Sequence, residues 1–240
     1  MKLIKRLYIF ARDIHRQELE LLWARKWDDA KKGMGWLANL PSISPVGWAV
    51  GYNYIYVMTR ILNEMEPESV LDVGLGISST LFSHYFSSHA SARAKHTIVE
   101  HDPDWVKFYS KKNRLSKASE IILMKCVKKS YQGCEYNAYQ GFKQKLEGMK
   151  YSVISIDAPL AGDKPYKHAR RDIIDILPDA LNDSFVIVID DCNRRGEKAT
   201  IAEIEQLLHR NGIAYEKGVY AGMSDCCVIA SADNRFFCTM

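Results

Sequence analysis

No stretch of this 240-residue chain stays apolar for the roughly 20 residues a bilayer-crossing helix needs. The first apolar run, Leu7 to Ala11, is stopped by Arg12 and Asp13, too early for the core of a secretory signal. Six cysteines (Cys126, Cys134, Cys192, Cys226, Cys227 and Cys238) make no Cys-x-x-Cys pair and no zinc-finger spacing. They are expected as reduced thiols, and the protein as cytoplasmic. No internal repeat and no low-complexity tract occurs. Nor is there a strong charge of one sign. The net +4 lies in residues 1–16, where Lys2, Lys5, Arg6, Arg12 and Arg16 face a single acid, Asp13. The rest of the chain balances, so the spread basic surface that nucleic-acid binding requires is missing.

What is present is a soluble composition, 47% apolar and 26% charged, long enough for one sizeable core. Leu3, Leu7, Phe10 and Ile14 recur at helical spacing with basic residues between them, which predicts an amphipathic helix reaching about Lys32. Two uses are open for its apolar stripe. It could meet an anionic membrane surface or partner, giving a membrane-peripheral protein, or pack on its own domain or a second subunit. Gly33 to Pro45 reads as a loop, and residues 48–63 as an aromatic-rich helix ended by Pro67. Residues 1–66 are thus expected as a helical extension and 67–240 as the main domain.

From there strands and helices alternate. Strands are expected at 69–73, 96–100, 119–125, 151–156 and 185–190, and helices at 78–88, 103–115, 138–147, 169–181 and 197–211. This pattern predicts an α/β, Rossmann-like, mostly parallel sheet covered on both faces. Segments 214–221 and 225–231 leave no room for a crossover, so they close the sheet as an antiparallel hairpin. In that hairpin Cys226 and Cys227 are expected as one core and one surface residue.

The run Val70 to Thr80 carries a strand, an acid (Asp72), two glycines (Gly74 and Gly76) and a helix start. Such a turn lets backbone approach a nucleotide-like cofactor, although plain β–turn–α connections look similar. The next strand ends in Glu100, a carboxylate suited to a ribose diol. Two features disfavour a dinucleotide: Ser79 replaces the third glycine, and Glu100 follows Asp72 by 28 residues rather than about 20. Further acids end later strands: Asp157, then Asp190 with Asp191. In open α/β sheets, ligands sit at those carboxyl ends.

On these motifs the chain resembles class I S-adenosylmethionine-dependent methyltransferases over about residues 67–232. Leu71 to Gly76 is similar to their first motif, Val99-Glu100 to their acidic second, and Ile156-Asp157-Ala158-Pro159 to their fourth. The resemblance implies a seven-stranded sheet and S-adenosylmethionine as cofactor. Glu100 would hold the ribose, and Asp72, Gly74, Gly76 and Ser79 would bind at the methionine end. A narrower resemblance runs through Asp157-Ala158-Pro159, Arg171-Asp172-Ile173 and Asp190-Asp191-Cys192-Asn193-Arg194 to sugar O-methyltransferases, including glucuronoxylan 4-O-methyltransferases and metal-dependent macrolide-sugar enzymes. It implies a sugar or glycan acceptor and polysaccharide biosynthesis. The glycine expected soon after Asp-Ala-Pro comes only at Gly162.

If the strands ending at Asp157 and Asp190 pair, three carboxylates crowd together and repel unless protonated or bridged by a cation such as Mg²⁺. The alternative has Asp190 or Asp191 bonding Arg194 or Arg195, or capping the helix near Glu197. A metal could orient vicinal hydroxyls, and His168 is the candidate general base. Asp157 and Arg171 join His168 as the candidate catalytic residues; Arg170 and Arg171 could contact an acidic sugar or phosphate, or else pair with Asp172 or Asp175 on a helix surface. His101 is a candidate adenosine contact, and Cys126 a candidate lining residue of the adenine pocket. A nicotinamide-dependent oxidoreductase and a non-catalytic scaffold on the same fold remain as alternatives.

Overall fold

The computed structural model describes residues 2–42, 49–89, 91–161 and 167–240; the expectations for Pro45, Trp48 and Gly162 lie outside the described residues. The chain opens with a 30-residue helix, α1 (Lys2–Lys31), a 3-10 turn (Gly35–Leu37) and helix α2 (Tyr52–Met65). Then follow β1 (Ser69–Val73), α3 (Ile77–Ser88), β2 (Lys95–Glu100), α4 (Pro103–Lys112) and β3 (Ser119–Leu123). Next come β4 (Cys126–Tyr131), β5 (Cys134–Tyr139), a short α5 (Phe142–Leu146) and β6 (Tyr151–Ile156). The chain closes with β7 (Leu181–Ile189), α6 (Arg195–Arg210), β8 (Tyr215–Tyr220), β9 (Cys226–Ser231) and a 3-10 segment (Ala232–Cys238).

Seven strands form one sheet in the order β3-β2-β1-β6-β7-β9-β8, with β9 antiparallel to both neighbours and the other pairings parallel. The expected fold is therefore present. β1 and β6 are central because Leu71, Val73, Ile154 and Ile156 fill one face of the sheet, while Val70 and Val153 fill the other. Strands covered on both faces read as continuous apolar runs, which is what made them legible. The strand order reverses between β1 and β6, the place where open α/β sheets bind ligands. Helix α2 packs into the same core as the sheet: Tyr54, Ile55, Met58 and Ile61 join Val70, Phe82 and Val228.

Three expectations need correction. The helix expected at 138–147 is the end of a hairpin, β4–β5, followed by one short turn of helix. Gln132 and Gly133, both at positive φ, make its tight turn. Gly141, at φ 73°, separates the hairpin from Phe142. The helix expected at 169–181 is a 3-10 segment, Arg171–Asp175, running through turns into a β7 that starts at Leu181. Pro178 lies inside the expected helix, where it would remove a backbone donor and clash with the preceding turn. Third, Cys226 and Cys227 are both buried, because β9 is an interior strand covered on both sides. Of the described residues, no helix is long and apolar enough to cross a membrane.

Phe82 has no exposed surface and packs edge-on to His96, with centroids 5.4 Å apart. Phe82→Ala is expected to lower unfolding free energy by about 3–5 kcal/mol through lost burial and a cavity. Urea denaturation of the two proteins measures it.

Candidate active site

The glycine turn after β1 is built on Asp72. Its carboxylate is wholly buried and accepts hydrogen bonds from Ser155 Oγ (2.8 Å), Ser78 Oγ (3.2 Å) and Ser79 Oγ (2.5 Å). Ser79 Oγ also accepts from the Gly76 N–H at 3.0 Å. The residue standing where a third glycine would be thus ties the turn to the strand end. Tyr54 OH lies 2.6 Å from Ser155 Oγ, so the same cluster reaches α2. Burial first, then the Asp72 charge, pushes the Tyr54 phenol well above its usual range. Asp72 therefore braces the turn and presents no surface of its own to a ligand.

Gly74 has φ 121°, and a Cβ there would sit 2.9 Å from Ala158 Cβ. Glycine is required by both the backbone angle and this close approach. The approach is fixed by Val73 O, which accepts from Asp157 N (3.0 Å) and Ala158 N (2.9 Å). Around Gly76, by contrast, a Cβ would meet nothing within 4 Å, leaving open space at the start of α3.

Glu100, at the end of β2, faces this turn. Its carboxylate accepts from the backbone N–H of His101 (2.6 Å), Asp102 (3.0 Å) and Leu75 (3.1 Å), and His101 Nδ1 lies 2.8 Å away. Burial alone would raise its pKa, but the His101 ring and these donors outweigh it and hold Glu100 below the usual carboxylate range. A fixed, ionised acceptor beside a glycine turn can take the two hydroxyls of a ribose. His101 is half-buried, and its pKa is raised chiefly by Glu100. Cys126 starts β4 and is half-buried, its thiol pushed up to about 11 mainly by burial. That makes it a packing group rather than a nucleophile.

Beyond β6 and β7 the three expected acids converge. Asp157, Asp190 and Asp191 each offer a carboxylate oxygen, and these lie within 4.8 Å of one another. Between them lies Arg170. Its Nη2 donates to Asp157 Oδ1 (3.0 Å) and Asp191 Oδ2 (2.9 Å), and its Nη1 donates to the Asp190 carbonyl (2.7 Å). Arg194 adds a second cation, 2.6 Å from Asp191, and Glu197 lies 3.8 Å from Arg170 Nε. Desolvation opposes the Arg170 charge, but Asp157, Asp191 and Glu197 hold its pKa above the ordinary value. Asp157 is pushed well up by desolvation, only partly offset by Arg170. Asp190 is pushed up to about 6 by desolvation and by Asp191, although Ser224 Oγ donates to it at 2.9 Å.

Arg170 and Arg194 thus hold one oxygen of Asp157 and one of Asp191, so a divalent ion here would share the carboxylates with two guanidiniums. Asp157, Asp190 and Asp191 nevertheless each offer a carboxylate oxygen within 4.8 Å of one another, the kind of ligand Mg²⁺ takes. Asp191 takes the alternative role foreseen for it, bonding Arg194.

His168 and Arg171 are not brought to these acids. Arg171 pairs with Glu203 at 2.8 Å and stacks 3.9 Å over the Tyr131 ring. His168 is buried edge-on against the same ring at 5.2 Å, with neither nitrogen hydrogen-bonded. Burial and the nearby Lys167 charge lower its pKa, so it is neutral at pH 7. The two residues belong to a separate group joining the β4–β5 hairpin to α6. The expected Asp172 and Asp175 partner for an arginine is instead Lys129, at 3.2 and 3.7 Å. Sequence reasoning missed Tyr54, Ser155 and Ser224. It chose Arg171 over Arg170 as a catalytic residue, because only the non-helical backbone at 167–175 decides which of them points at the strand ends.

No family model matches the chain, and no curated protein matches it in sequence. Among solved structures, the chain is similar to a protein described as a putative O-methyltransferase from Klebsiella pneumoniae, at TM-score 0.50 and 12% identity over 87% of this chain and 89% of the other. It is similar to the O-methyltransferase from Bacillus cereus in complex with SAH, at TM-score 0.51 and 12% identity over 90% of each chain. The cofactor-bound protein Rv0187 from MTB matches at TM-score 0.50 and 13% identity over 88% and 89%. At such identities the likeness is one of fold.

The raised Asp190 pKa has a definite sign. An unfolded Asp titrates near about 3.9, so the folded protein holds this proton to higher pH. That stabilisation is complete below about pH 4 and is lost as pH rises through about 6. The stability of wild type relative to Asp190→Asn is expected to fall across this window by about 2–3 kcal/mol, measured by denaturation at several pH values. Arg170→Met leaves the acids with Arg194 alone and is expected to cost about 3–5 kcal/mol at pH 7. The cost should shrink toward pH 5, as the carboxylates protonate, in the same measurement.

Proposed function

We propose that the protein is an S-adenosylmethionine-dependent O-methyltransferase acting on a sugar or glycan-type hydroxyl acceptor. The observation that carries the reading is one arrangement: an open glycine turn, the ionised Glu100 beside it, and a carboxylate–arginine group at the next two strand ends. S-adenosylmethionine would be held by the backbone at Gly74 to Gly76 and by Glu100, and when bound it supplies an electrophilic methyl group. Transfer to oxygen requires in-line placement of the acceptor and removal of its proton. Asp157 and Asp190 sit where an acceptor hydroxyl can be oriented. With its pKa near 6, Asp190 is suited to take a proton at neutral pH. In this proposal Arg170 and Arg194, rather than a divalent ion, supply the positive charge, and Asp190 replaces His168 as base. A polyhydroxylated acceptor suits a site made of carboxylates, guanidiniums and Ser224, because each hydroxyl can both donate and accept.

Methyl-labelled S-adenosylmethionine, incubated with the protein and a panel of neutral and acidic glycans, should label a sugar oxygen. Asp190→Asn is expected to lower kcat by about 10²-fold or more while binding of S-adenosylhomocysteine persists. A chelator should leave the rate unchanged. Loss of activity with chelator and recovery with Mg²⁺ would instead favour metal assistance, and absence of label on any hydroxyl acceptor would contradict the proposal.

A further inference from the structure

Helix α1 has two halves with different surroundings. From Arg16 onward it is held to the body. Arg16 Nη1 donates to the carbonyls of Gly222 and Met223 at 2.8 Å and pairs with Asp225 at 3.2 Å. Trp23 Nε1 donates to Ala221 O at 2.7 Å, and Trp27 Nε1 donates to Thr59 at 3.0 Å. Before Arg16, every residue from Leu3 to His15 is exposed, so about three turns run past the body.

That free half is amphipathic. At 3.6 residues per turn, Leu3, Leu7, Phe10, Ile14 and Leu21 fall within an arc of about 60°. The body-facing residues Arg16, Leu19, Trp23 and Trp27 lie on the opposite side of the helix. The apolar arc therefore points away from the fold, and its members are 40–72% exposed. Lys5 and Arg12 lie on the face opposite the arc, and Arg6 flanks the arc next to Phe10. The first sixteen residues hold five basic groups and one acid, while the remainder of the chain is balanced.

We infer that the free half of α1 is an in-plane anchor that lies on an anionic lipid bilayer, with its apolar arc among the acyl chains and its basic residues at the headgroups. Charge selects this occupant over a second copy of the chain. Stripe-on-stripe pairing would bring together two copies of a segment whose net charge before Arg16 is +3, whereas an anionic leaflet supplies the opposite charge. The anchored helix holds the Ala221–Asp225 loop through Arg16 and Trp23, and that loop supplies Ser224 to Asp190. The bilayer would therefore lie on the side of the protein where this rim of the carboxylate group is fixed. The inference stands on the helix alone and does not depend on the proposed reaction.

Flotation of the full chain with vesicles tests it. Binding is expected to phosphatidylcholine vesicles containing about one third phosphatidylglycerol, to weaken as salt rises, and to be absent with phosphatidylcholine alone. The double variant Leu7→Ser, Phe10→Ser keeps the net charge and removes apolar surface that touches nothing in the free protein. It should reduce the bound fraction about tenfold or more with an unchanged thermal unfolding midpoint. No binding to anionic vesicles at low salt, or equal binding by the double variant, would overturn the inference. So would a dimer in light scattering that the double variant dissociates, since the arc would then be covered by a second copy.

Discussion

The carboxylate of Asp72 is the interaction on which the upper edge of the sheet depends. It has no exposed surface, and hydroxyls from Ser78, Ser79 and Ser155 satisfy it, with Tyr54 joined through Ser155. A buried carboxylate without donors would cost several kcal/mol, so the partners must hold their places. Through them one group fixes the start of α3, the end of β6 and the position of α2. The glycine turn can then stay open at Gly76 without being loose, because the restraint comes from beneath. A cofactor site with its backbone donors already in place gives up little ordering entropy on binding.

The second constraint is the charge beside the turn. Four acids (Asp157, Asp190, Asp191 and Glu197) surround two guanidiniums, so the group cannot be both fully ionised and neutral. Desolvation, with the repulsion between neighbouring carboxylates added to it, makes Asp157 and Asp190 hold protons to higher pH than ordinary aspartates. A carboxylate poised in this way can exchange a proton near neutrality, which is the property a methyl acceptor's hydroxyl requires. Gly196 adds a steric condition. A Cβ there would overlap the carbonyl of Lys167, so α6 starts flush against the segment that carries His168 and Arg170. The arginine's place among the acids is thus set by close packing as well as by charge.

Most of the sheet was legible because its strands are covered on both faces and read as unbroken apolar runs ending in acids. The convergence of Asp157, Asp190 and Asp191 followed from adjacency of β6 and β7 alone. The β4–β5 hairpin was not read, although Gln132-Gly133 marks its turn and Cys134, Tyr136 and Ala138 alternate with polar residues at strand spacing. Missing that hairpin hid Tyr131, and with it the true company of His168 and Arg171. Arg170 and Arg171 are adjacent, and without helical periodicity nothing local says which one faces the acids. Sequence likewise brought three carboxylates together, as the metal expectation required, but could not place the guanidinium among them. The apolar stripe of α1 was legible, but its direction was not, since that depends on Trp23 and Trp27 facing the body.

The central claim is that the turn from Gly74 to Gly76, with Glu100 beside it, binds S-adenosylmethionine. Calorimetric titration of the full chain with S-adenosylhomocysteine and, separately, with NAD tests it most directly. The account predicts saturable one-to-one binding of S-adenosylhomocysteine that Glu100→Ala weakens by tenfold or more, and no heat with NAD. Saturable binding of NAD, with none of S-adenosylhomocysteine, would contradict it.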